Sequence, residues 1–211
     1  RNANLSNHDQ RKQIDLISRL NKLHLAKRDN DLELNAQIQA METAYRMQFE
    51  AMDTFDVEQE SASTREKYGS TPFANSCLLA RRLVENGVRY VGVYYVNNSN
   101  QPWDTHTKHN EGHTKLCQDS DRATAALISD LKERGLLEDT LIIWGGEFGR
   151  TPYAQQNKKK DVGRDHHNTA FSMLLAGGGV KGGLAYGTSD EFGMHAQDNR
   201  MHVHDLHATI L

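Results

Sequence analysis

The chain has 211 residues, enough for one sizeable domain or for a domain with an appendage. Its 25 basic and 28 acidic residues give a formal net charge of -3, so no basic surplus is present to bind nucleic acid. No apolar run approaches the roughly 18 residues that a membrane-spanning helix needs, so we predict no transmembrane segment.

The two ends of the chain lead us to expect a fragment of a longer protein. The sequence begins at Arg1 without a methionine, and it stops at Leu211 within an apolar, helix-like stretch. The two cysteines, Cys77 and Cys117, fall in predicted helices without metal-ligand spacing. We therefore expect both to be packing residues rather than a disulfide or a redox pair.

The first 70 residues are predicted to form a helical region of their own. Apolar residues recur at helical spacing in 8–28 and in 31–50, and a polar break separates the two segments. This pattern predicts a pair of antiparallel helices, followed by an acidic, polar linker at 53–70. The pair is expected to be an insertion or cap on a core formed by 71–211, with a partner-binding coiled coil as the alternative.

From residue 71 onward, helix and strand patterns alternate. We predict helices at 72–86, 114–134 and 203–211, the last of them capped by Asp205 or its neighbours. β-Branched and aromatic runs predict strands at 88–96, 141–144 and 171–176. This order is typical of an α/β fold with a largely parallel sheet, of which three strands would be only a part.

Histidine is concentrated in the second half of the chain, where nine of the eleven follow Asp104. Asp104 and His106 lie in a polar loop after the first predicted strand and could chelate one divalent ion from an extended segment. Glu147 and Arg150 follow the second predicted strand in a glycine-rich turn. Glu147 could serve as a functional carboxylate at the strand end and Arg150 could bind an anion, or the two could form only a surface ion pair.

Two further histidine clusters follow. Asp165, His166 and His167 form a triplet in which only one imidazole can face a given ion from a regular strand. The cluster that contains His202, His204 and His207 could hold a metal or could simply be the polar start of the last helix. Carboxylate and imidazole ligands together suit zinc, manganese or similar cations.

Five ordered blocks of the sequence resemble the bacterial sulfatase-like family catalogued as domain of unknown function 1501. These blocks are WDTH at 103–106, TLIIWGGEFGRTP at 140–152, GRDHH at 163–167, LLAGGGVKGG at 174–183 and HVHDLHATIL at 202–211. The resemblance extends over essentially the whole chain. It implies the C-terminal half of a three-layer α/β/α core of the alkaline phosphatase-like superfamily, with its metal site at the strand ends.

The resemblance also implies roles for individual residues. Its candidate catalytic residues are Glu147 and Arg150. Its candidate metal ligands are Asp104, His106, Glu147, Asp165 and His166, with His109 as a substitute for His106. Phe148 stands where the superfamily usually has a histidine ligand of a second ion, which departs from the two-metal pattern. The family's nucleophile lies N-terminal to these blocks.

These implications lead to one expected function and one rival. The first is a metal-dependent hydrolase of phosphate or sulfate esters, with zinc, manganese or calcium and an anionic small-molecule or polysaccharide substrate. The rival is a non-catalytic secreted or surface binding protein that keeps the fold and a structural metal. Full-length relatives resemble exported proteins, which implies a periplasmic or extracellular location.

Overall fold

The computed structural model describes residues 6–25, 32–50, 52–96, 101–155 and 161–211. The chain divides into two compact units, Arg1–Asp56 and Val57–Leu211. Helices and short antiparallel strand pairs together make a mixed α/β protein. Within the described ranges, no helix is both long enough and apolar enough to span a membrane.

The first unit contains the predicted helical pair. Helices α1 (Asn7–Leu25) and α2 (Leu32–Glu50) pack against each other, and the short α3 (Met52–Phe55) follows. Ser18 donates a hydrogen bond of 2.5 Å from its hydroxyl to Glu42 across the pair. The pair is thus confirmed, whereas the polar break at 28–31 and the side chains of Tyr45 and Phe49 lie outside what is described.

The second unit begins with the helices whose packing forms its core. After a 3₁₀ turn at Val57–Gln59 come α4 (Ala62–Tyr68), α5 (Pro72–Glu85) and α6 (His109–Glu133). The hydroxyl of Thr71 caps α5 by accepting from the backbone N–H of Ala74, and Pro72 needs no partner in the first turn. The segment 53–70, expected to be a linker, therefore contains helices; the domain boundary at 70 stays a prediction.

The core of this unit lies where α4, α5 and α6 pack together. Its buried members are Tyr68, Ala74, Cys77, Leu78, Ala123 and Ala126. Cys77 is a packing residue as expected, at 3 % exposure. Cys117 is exposed, so the packing prediction was wrong for it, because it lies on the outer face of α6.

Helix α6 begins five residues before the predicted start at 114. Lys108 precedes it in a left-handed conformation and gives no side-chain cap. The start is instead fixed by a tertiary contact, since the backbone N–H of His109 donates to the carbonyl of Val162 at 3.0 Å. No local sequence signal could have indicated this start.

The strands pair antiparallel, which corrects the prediction of a largely parallel sheet. Strand β1 (Ile142–Trp144) pairs with β4 (Leu174–Ala176), in a register that places Ile142 opposite Ala176. A parallel pair needs a crossover, usually a helix, and the described residues between these strands contain none. The shorter pairs join β2 (Gly149–Arg150) to β3 (His166–His167), and β5 (Thr188–Ser189) to β6 (Ala196–Asp198).

The predicted strand at 88–96 is not formed. Its side chains do alternate, with Val91, Val93 and Tyr95 half-buried and their neighbours exposed. No described segment pairs with its backbone, however, and a strand requires a ladder partner. The prediction of a strand from β-branched and aromatic composition was therefore wrong for the backbone pairing of this segment.

The last helix, α7 (Val203–Ile210), confirms the predicted C-terminal helix. Asp205 accepts a hydrogen bond of 2.6 Å from the backbone N–H of His202, and His202 accepts from the N–H of His204. These two contacts form a reciprocal cap at the start of the helix.

Candidate metal centre

The site begins in the loop that precedes α6. The backbone N–H of Asp104 donates to the carbonyl of Gln101 at 2.9 Å, and that of Thr105 donates to Trp103 at 3.0 Å. The ring of Trp103 anchors the loop through edge-on contacts with Tyr95 and with Trp144. This tight turn presents Asp104 and His106 on the same side.

The second part of the site comes from the pairing of β2 with β3. Arg150 lies directly opposite His166 in this register, so two residues 16 positions apart become neighbours. Thr151, only 2 % exposed, holds the strands together. Its hydroxyl accepts from the backbone N–H of Asp165 at 3.1 Å, and its own N–H donates to the Asp165 carbonyl at 2.9 Å.

A backbone contact joins the two parts. The N–H of Arg164 donates to the carbonyl of Thr105 at 3.2 Å, which ties the loop before β3 to the loop that carries Asp104 and His106. The side chain of Arg164 also donates to the carbonyl of Thr151 at 2.5 Å. Loop and strand pair are thus held in one arrangement.

Three groups converge on a single carboxylate oxygen. Oδ1 of Asp104 lies 3.0 Å from Nε2 of His106 and 3.0 Å from Nε2 of His166. Nη2 of Arg150 donates to the same oxygen at 2.9 Å. The ligand atoms of the aspartate and the two histidines all lie within 4.8 Å of one another.

Acceptors occupy the other nitrogen of each imidazole. The side-chain oxygen of Gln155 lies 2.8 Å from Nδ1 of His106, and Oε1 of Glu147 lies 3.4 Å from Nδ1 of His166. A proton on each Nδ1 satisfies these oxygens, since neither of them can donate. In a neutral imidazole, the lone pair on Nε2 then faces the Asp104 carboxylate, and only a cation or a proton between them removes the repulsion.

The charge of Asp104 suits a metal ligand. Burial alone would raise the pKa of this carboxyl group, but the hydrogen bond from Arg150 and the charge of that guanidinium outweigh the effect. The net result is a pKa below the ordinary value. Asp104 is therefore ionised at neutral pH.

The distances are compatible with a bound ion. Ligands about 2.0–2.1 Å from a tetrahedral zinc ion are about 3.3 Å apart. The observed separations of 3.0 Å between the aspartate oxygen and each histidine nitrogen are close to this value. An acceptor on the far nitrogen of each metal-binding histidine is also the usual arrangement, since it fixes the tautomer and the ring orientation.

The remaining predicted residues lie around this trio. Glu147 contacts the outer nitrogen of His166, and Arg150 contacts Asp104 and the carbonyl of Trp103. Asp165 lies 4.0 Å from Nδ1 of His106 and accepts from the backbone N–H of His166. The roles of Glu147 and Asp165 as ligands stay predictions, since the structure places these carboxylates beside the histidines rather than among the three converging atoms.

Three other predicted histidines point elsewhere. His109, the possible substitute for His106, has its Nδ1 2.7 Å from the hydroxyl of Thr105. His167 is 7 % exposed and lies 3.1 Å from the carbonyl of Gly193, so the two adjacent imidazoles of the triplet do face apart. His202 caps α7, which matches the alternative of a polar helix start.

Gln155 is a site residue that sequence reasoning missed. It reaches His106 because its backbone N–H donates to the carbonyl of Gly163 at 2.8 Å, in an isolated bridge. A glutamine in a loop gives no sequence signal for such a role, because the contact depends on residues far apart in the chain.

Comparisons with known proteins bear on the family alone. No curated protein and no solved structure matches this chain. A family model described as "Protein of unknown function (DUF1501)" matches residues 1–211, the full length of the sequence. The chain therefore belongs to the DUF1501 family.

Proposed function

We propose that this protein is a metal-dependent hydrolase of phosphate or sulfate esters, with Asp104, His106 and His166 as ligands of one divalent ion. The observation that carries the proposal is the convergence of two imidazole nitrogens on one carboxylate oxygen, each at 3.0 Å. Two imidazoles and one carboxylate favour zinc, or manganese, over calcium, which prefers oxygen ligands. Three protein ligands leave positions for a water molecule and a substrate oxygen.

The proposal includes the fold class that the sequence resemblance implies. A three-layer core of the alkaline phosphatase-like superfamily would supply the metal site that its members carry. Support comes from the family match over residues 1–211 and from the position of His166 at the start of β3, next to the loop that carries Asp104 and His106. The bound ion would polarise the ester oxygen and stabilise the attacking group.

Arg150 would hold the substrate anion. Its Nη2 donates to Asp104 and to the carbonyl of Trp103, whereas its buried Nη1 has no hydrogen-bond partner. A buried guanidinium nitrogen without a partner is costly unless a ligand satisfies it. A phosphate or sulfate oxygen is a suitable acceptor, because arginine binds such oxyanions with directed N–H groups.

Glu147 would orient His166 and accept a proton. Its carboxylate faces Nδ1 of His166, and its side chain is 69 % exposed. An exposed carboxylate next to a metal-bound imidazole can raise the basicity of that ligand. We assign no nucleophile among the residues of this site.

The ester-hydrolase proposal is tested with 4-nitrophenyl phosphate and 4-nitrophenyl sulfate as substrates. We expect turnover that requires zinc or manganese, and that falls by about 10²-fold in Arg150→Met, which removes the oxyanion contact. Retained metal content in that variant would separate loss of catalysis from loss of the ion. Absence of turnover by the metal-loaded, full-length protein would overturn the hydrolase.

The rival function is binding without catalysis, and Phe148 is the observation that favours it. The ring of Phe148 is 45 % exposed and lies edge-on to His166, with centroids 6.3 Å apart. An apolar ring at this point gives no ligand for a second ion, so the site offers one structural metal rather than a two-metal clamp. Metal binding without turnover of either ester is the result that this rival predicts.

A further inference from the structure

Two histidines on successive turns of α6 contact the loop that carries Asp104. His109 and His113 are four residues apart, so both project from one side of the helix. Their rings lie against each other, with centroids 3.9 Å apart and planes inclined by 39°, and both residues are half-buried. Neither imidazole belongs to the three groups that converge on the candidate metal centre, so any part they have there is indirect.

Each ring contacts one chain neighbour of Asp104. The carbonyl of Trp103 lies 3.3 Å from Nε2 of His113, and since a carbonyl can only accept, Nε2 of His113 donates this hydrogen bond. The hydroxyl of Thr105 lies 2.7 Å from Nδ1 of His109, and a hydroxyl can pair with that nitrogen as donor or as acceptor. The two contacts therefore hold the chain immediately before and immediately after Asp104.

The carbonyl that His113 contacts also belongs to the candidate metal centre. It accepts from Nη2 of Arg150 at 3.0 Å, and the same nitrogen donates to Oδ1 of Asp104 at 2.9 Å. The ring of His113 lies edge-on to that of Trp103 as well, with centroids 5.2 Å apart. His113 and Arg150 thus meet at one carbonyl and fix the start of the loop from two sides.

The loop depends on such contacts because its own backbone gives it little support. From 101 to 108, no residue lies in a helix or strand. The backbone N–H groups of Asp104, Thr105 and His106 each donate to a carbonyl within the loop itself. Local turns of this kind fix the shape of a loop but not its place on the protein, so contacts with other segments, α6 among them, hold Asp104 where it is.

Both rings suit this role because they are uncharged at neutral pH. Burial, followed by the charges of His113, Arg164 and Arg150, lowers the pKa of His109 to about 4. Burial lowers the pKa of His113 as well, and the hydrogen bond to Trp103 only partly offsets this effect. Uncharged imidazoles add no positive charge next to a site for a cation.

We propose that His109 and His113 are positioning residues of the candidate metal centre, which hold the loop on both sides of Asp104 so that its carboxylate meets His106 and His166. The inference rests on the metal site of the proposed function, but it does not require ester hydrolysis. Each ring acts through the loop alone. Such support matters because site residues must be held within about 0.5 Å of the productive geometry.

The first test is zinc affinity, measured on the metal-free protein by competition with a zinc-chelating dye. His109→Leu and His113→Leu each remove one contact with the loop, and we expect the affinity to fall by about three- to tenfold in each. His109→Asn and His113→Gln put an amide where the contacting nitrogen lies, and they should restore most of the affinity. Gln118→Leu, at an exposed position of the same helix, should bind zinc as tightly as the wild type.

The amide variants separate positioning from a general loss of structure, since they change the same residues but keep the contacts. Wild-type affinity in both leucine variants would overturn the proposal. Equal losses in the leucine and amide variants would also overturn it, because the contacts with the loop would then not be what matters.

A second measurement needs no metal and so separates this inference from the proposed function. The chain has two tryptophans, so Trp103 is the only one left in a Trp144→Phe background. We expect acrylamide to quench its fluorescence more strongly when His109→Leu is added, because the loop then leaves α6, but not when His109→Asn is added. Unchanged quenching in His109→Leu would overturn the positioning role, whatever the zinc affinity. Stronger quenching in a protein whose wild type binds no zinc would support the anchoring of the loop and overturn the metal centre alone.

Discussion

At the scale of single residues, the candidate metal centre depends on which nitrogen each histidine turns towards Asp104. His106 and His166 both present Nε2, and both have Nδ1 next to an oxygen that can only accept. This geometry is typical of histidines whose outer partner fixes the tautomer for metal binding. The partners are Glu147, which the sequence indicates as a candidate site residue, and Gln155, for which the sequence gives no signal.

The contrast shows how far the site could be predicted from sequence. Asp104 and His106 stand two residues apart in one motif, and His166 stands in a charged triplet, so each was a candidate by itself. Their convergence, and the place of Gln155 beside them, depend on backbone contacts between distant loops, such as that of Arg164 with Thr105. Residue types can indicate ligands, but they carry no information on such contacts.

Removal of the Gln155 acceptor should weaken metal binding without abolishing it. In Gln155→Ala, Nδ1 of His106 loses the oxygen at 2.8 Å that fixes its tautomer. We expect the zinc affinity of the Asp104 trio to fall by about 10–100-fold. The measurement is competition with a zinc-chelating dye.

The matched control is Gln118→Ala, an exposed glutamine that makes no contact with the Asp104 trio in the described structure. Equal affinities for the two alanine variants would contradict the role of Gln155.

At the scale of elements, one glycine determines how closely two loops approach. A Cβ atom on Gly163 would lie 2.0 Å from the carbonyl oxygen of His106 and 2.7 Å from the backbone nitrogen of Thr107. No side chain fits there, and the obstacle is backbone rather than a flexible side-chain end. The loop before β3 and the loop that carries His106 can therefore meet only if residue 163 is glycine.

Gly163→Ala should consequently displace His106 while the helical core stays folded. We expect the Asp104 trio to lose its metal, measured by elemental analysis, with the helical circular dichroism unchanged. Gly182→Ala is the control, since a Cβ there meets nothing within 4 Å. Normal metal content in Gly163→Ala would show that the loops can separate without loss of the site.

The helices and strands also differ in how well they could be predicted from the sequence. Helix α5 was predicted to within one residue because its signals are local, with Thr71 and Pro72 at its start and Gly87 after its end. The predicted parallel direction was wrong for β1 and β4, which pair antiparallel, because helix–strand alternation gives no information on direction when the connection lacks a helix. Strand pairing depends on distant partners, so a β-branched and aromatic run such as 88–96 cannot settle it.

At the scale of the whole molecule, a buried charge network holds the helices of the second unit together. Arg81 is completely buried and lies 2.8 Å from Glu60 and 2.9 Å from Asp130. The atoms that make these two contacts lack well-aligned hydrogen bonds, so charge attraction dominates there. Arg81 also donates to Glu85 at 2.6 Å, and Tyr68 donates to Asp130 at 3.0 Å.

Removal of Arg81 should be among the most destabilising single changes in this unit. Arg81→Met leaves the carboxylates of Glu60 and Asp130, which are 10 % and 7 % exposed, without their central cation. Breaking a buried ion pair from one side costs about 3–5 kcal/mol in free energy of unfolding. Urea denaturation measures this loss, with Arg89→Met as an exposed arginine control. A loss no larger than the control's would contradict the role of the network.

The same network predicts how stability depends on pH. Burial would raise the pKa of Asp130, but hydrogen bonds from Arg134 and Tyr68 and the charge of Arg81 lower it overall. The pKa of Glu60 is lowered in the same way by Arg81 and Arg82. Since both folded-state pKa values lie below the unfolded values of about 4, their stabilisation is complete above that pH and is lost as pH falls through the folded-state values.

We therefore expect the urea midpoint to fall steeply below about pH 4. Asp130→Asn, which has no titrating carboxyl group at this position, should show lower stability at neutral pH and a shallower decline in acid. Parallel pH profiles for the wild type and this variant would show that Asp130 does not contribute to the acid sensitivity.

Elemental analysis tests most directly whether Asp104, His106 and His166 bind one divalent ion. The protein would be purified without chelators, with and without Asp104→Asn/His166→Gln, and with His207→Gln as an exposed-histidine control. We expect about one equivalent of zinc or manganese per chain, retained in the control and lost from the double variant. Absence of metal from the parent protein, or equal metal in the double variant, would contradict the assignment.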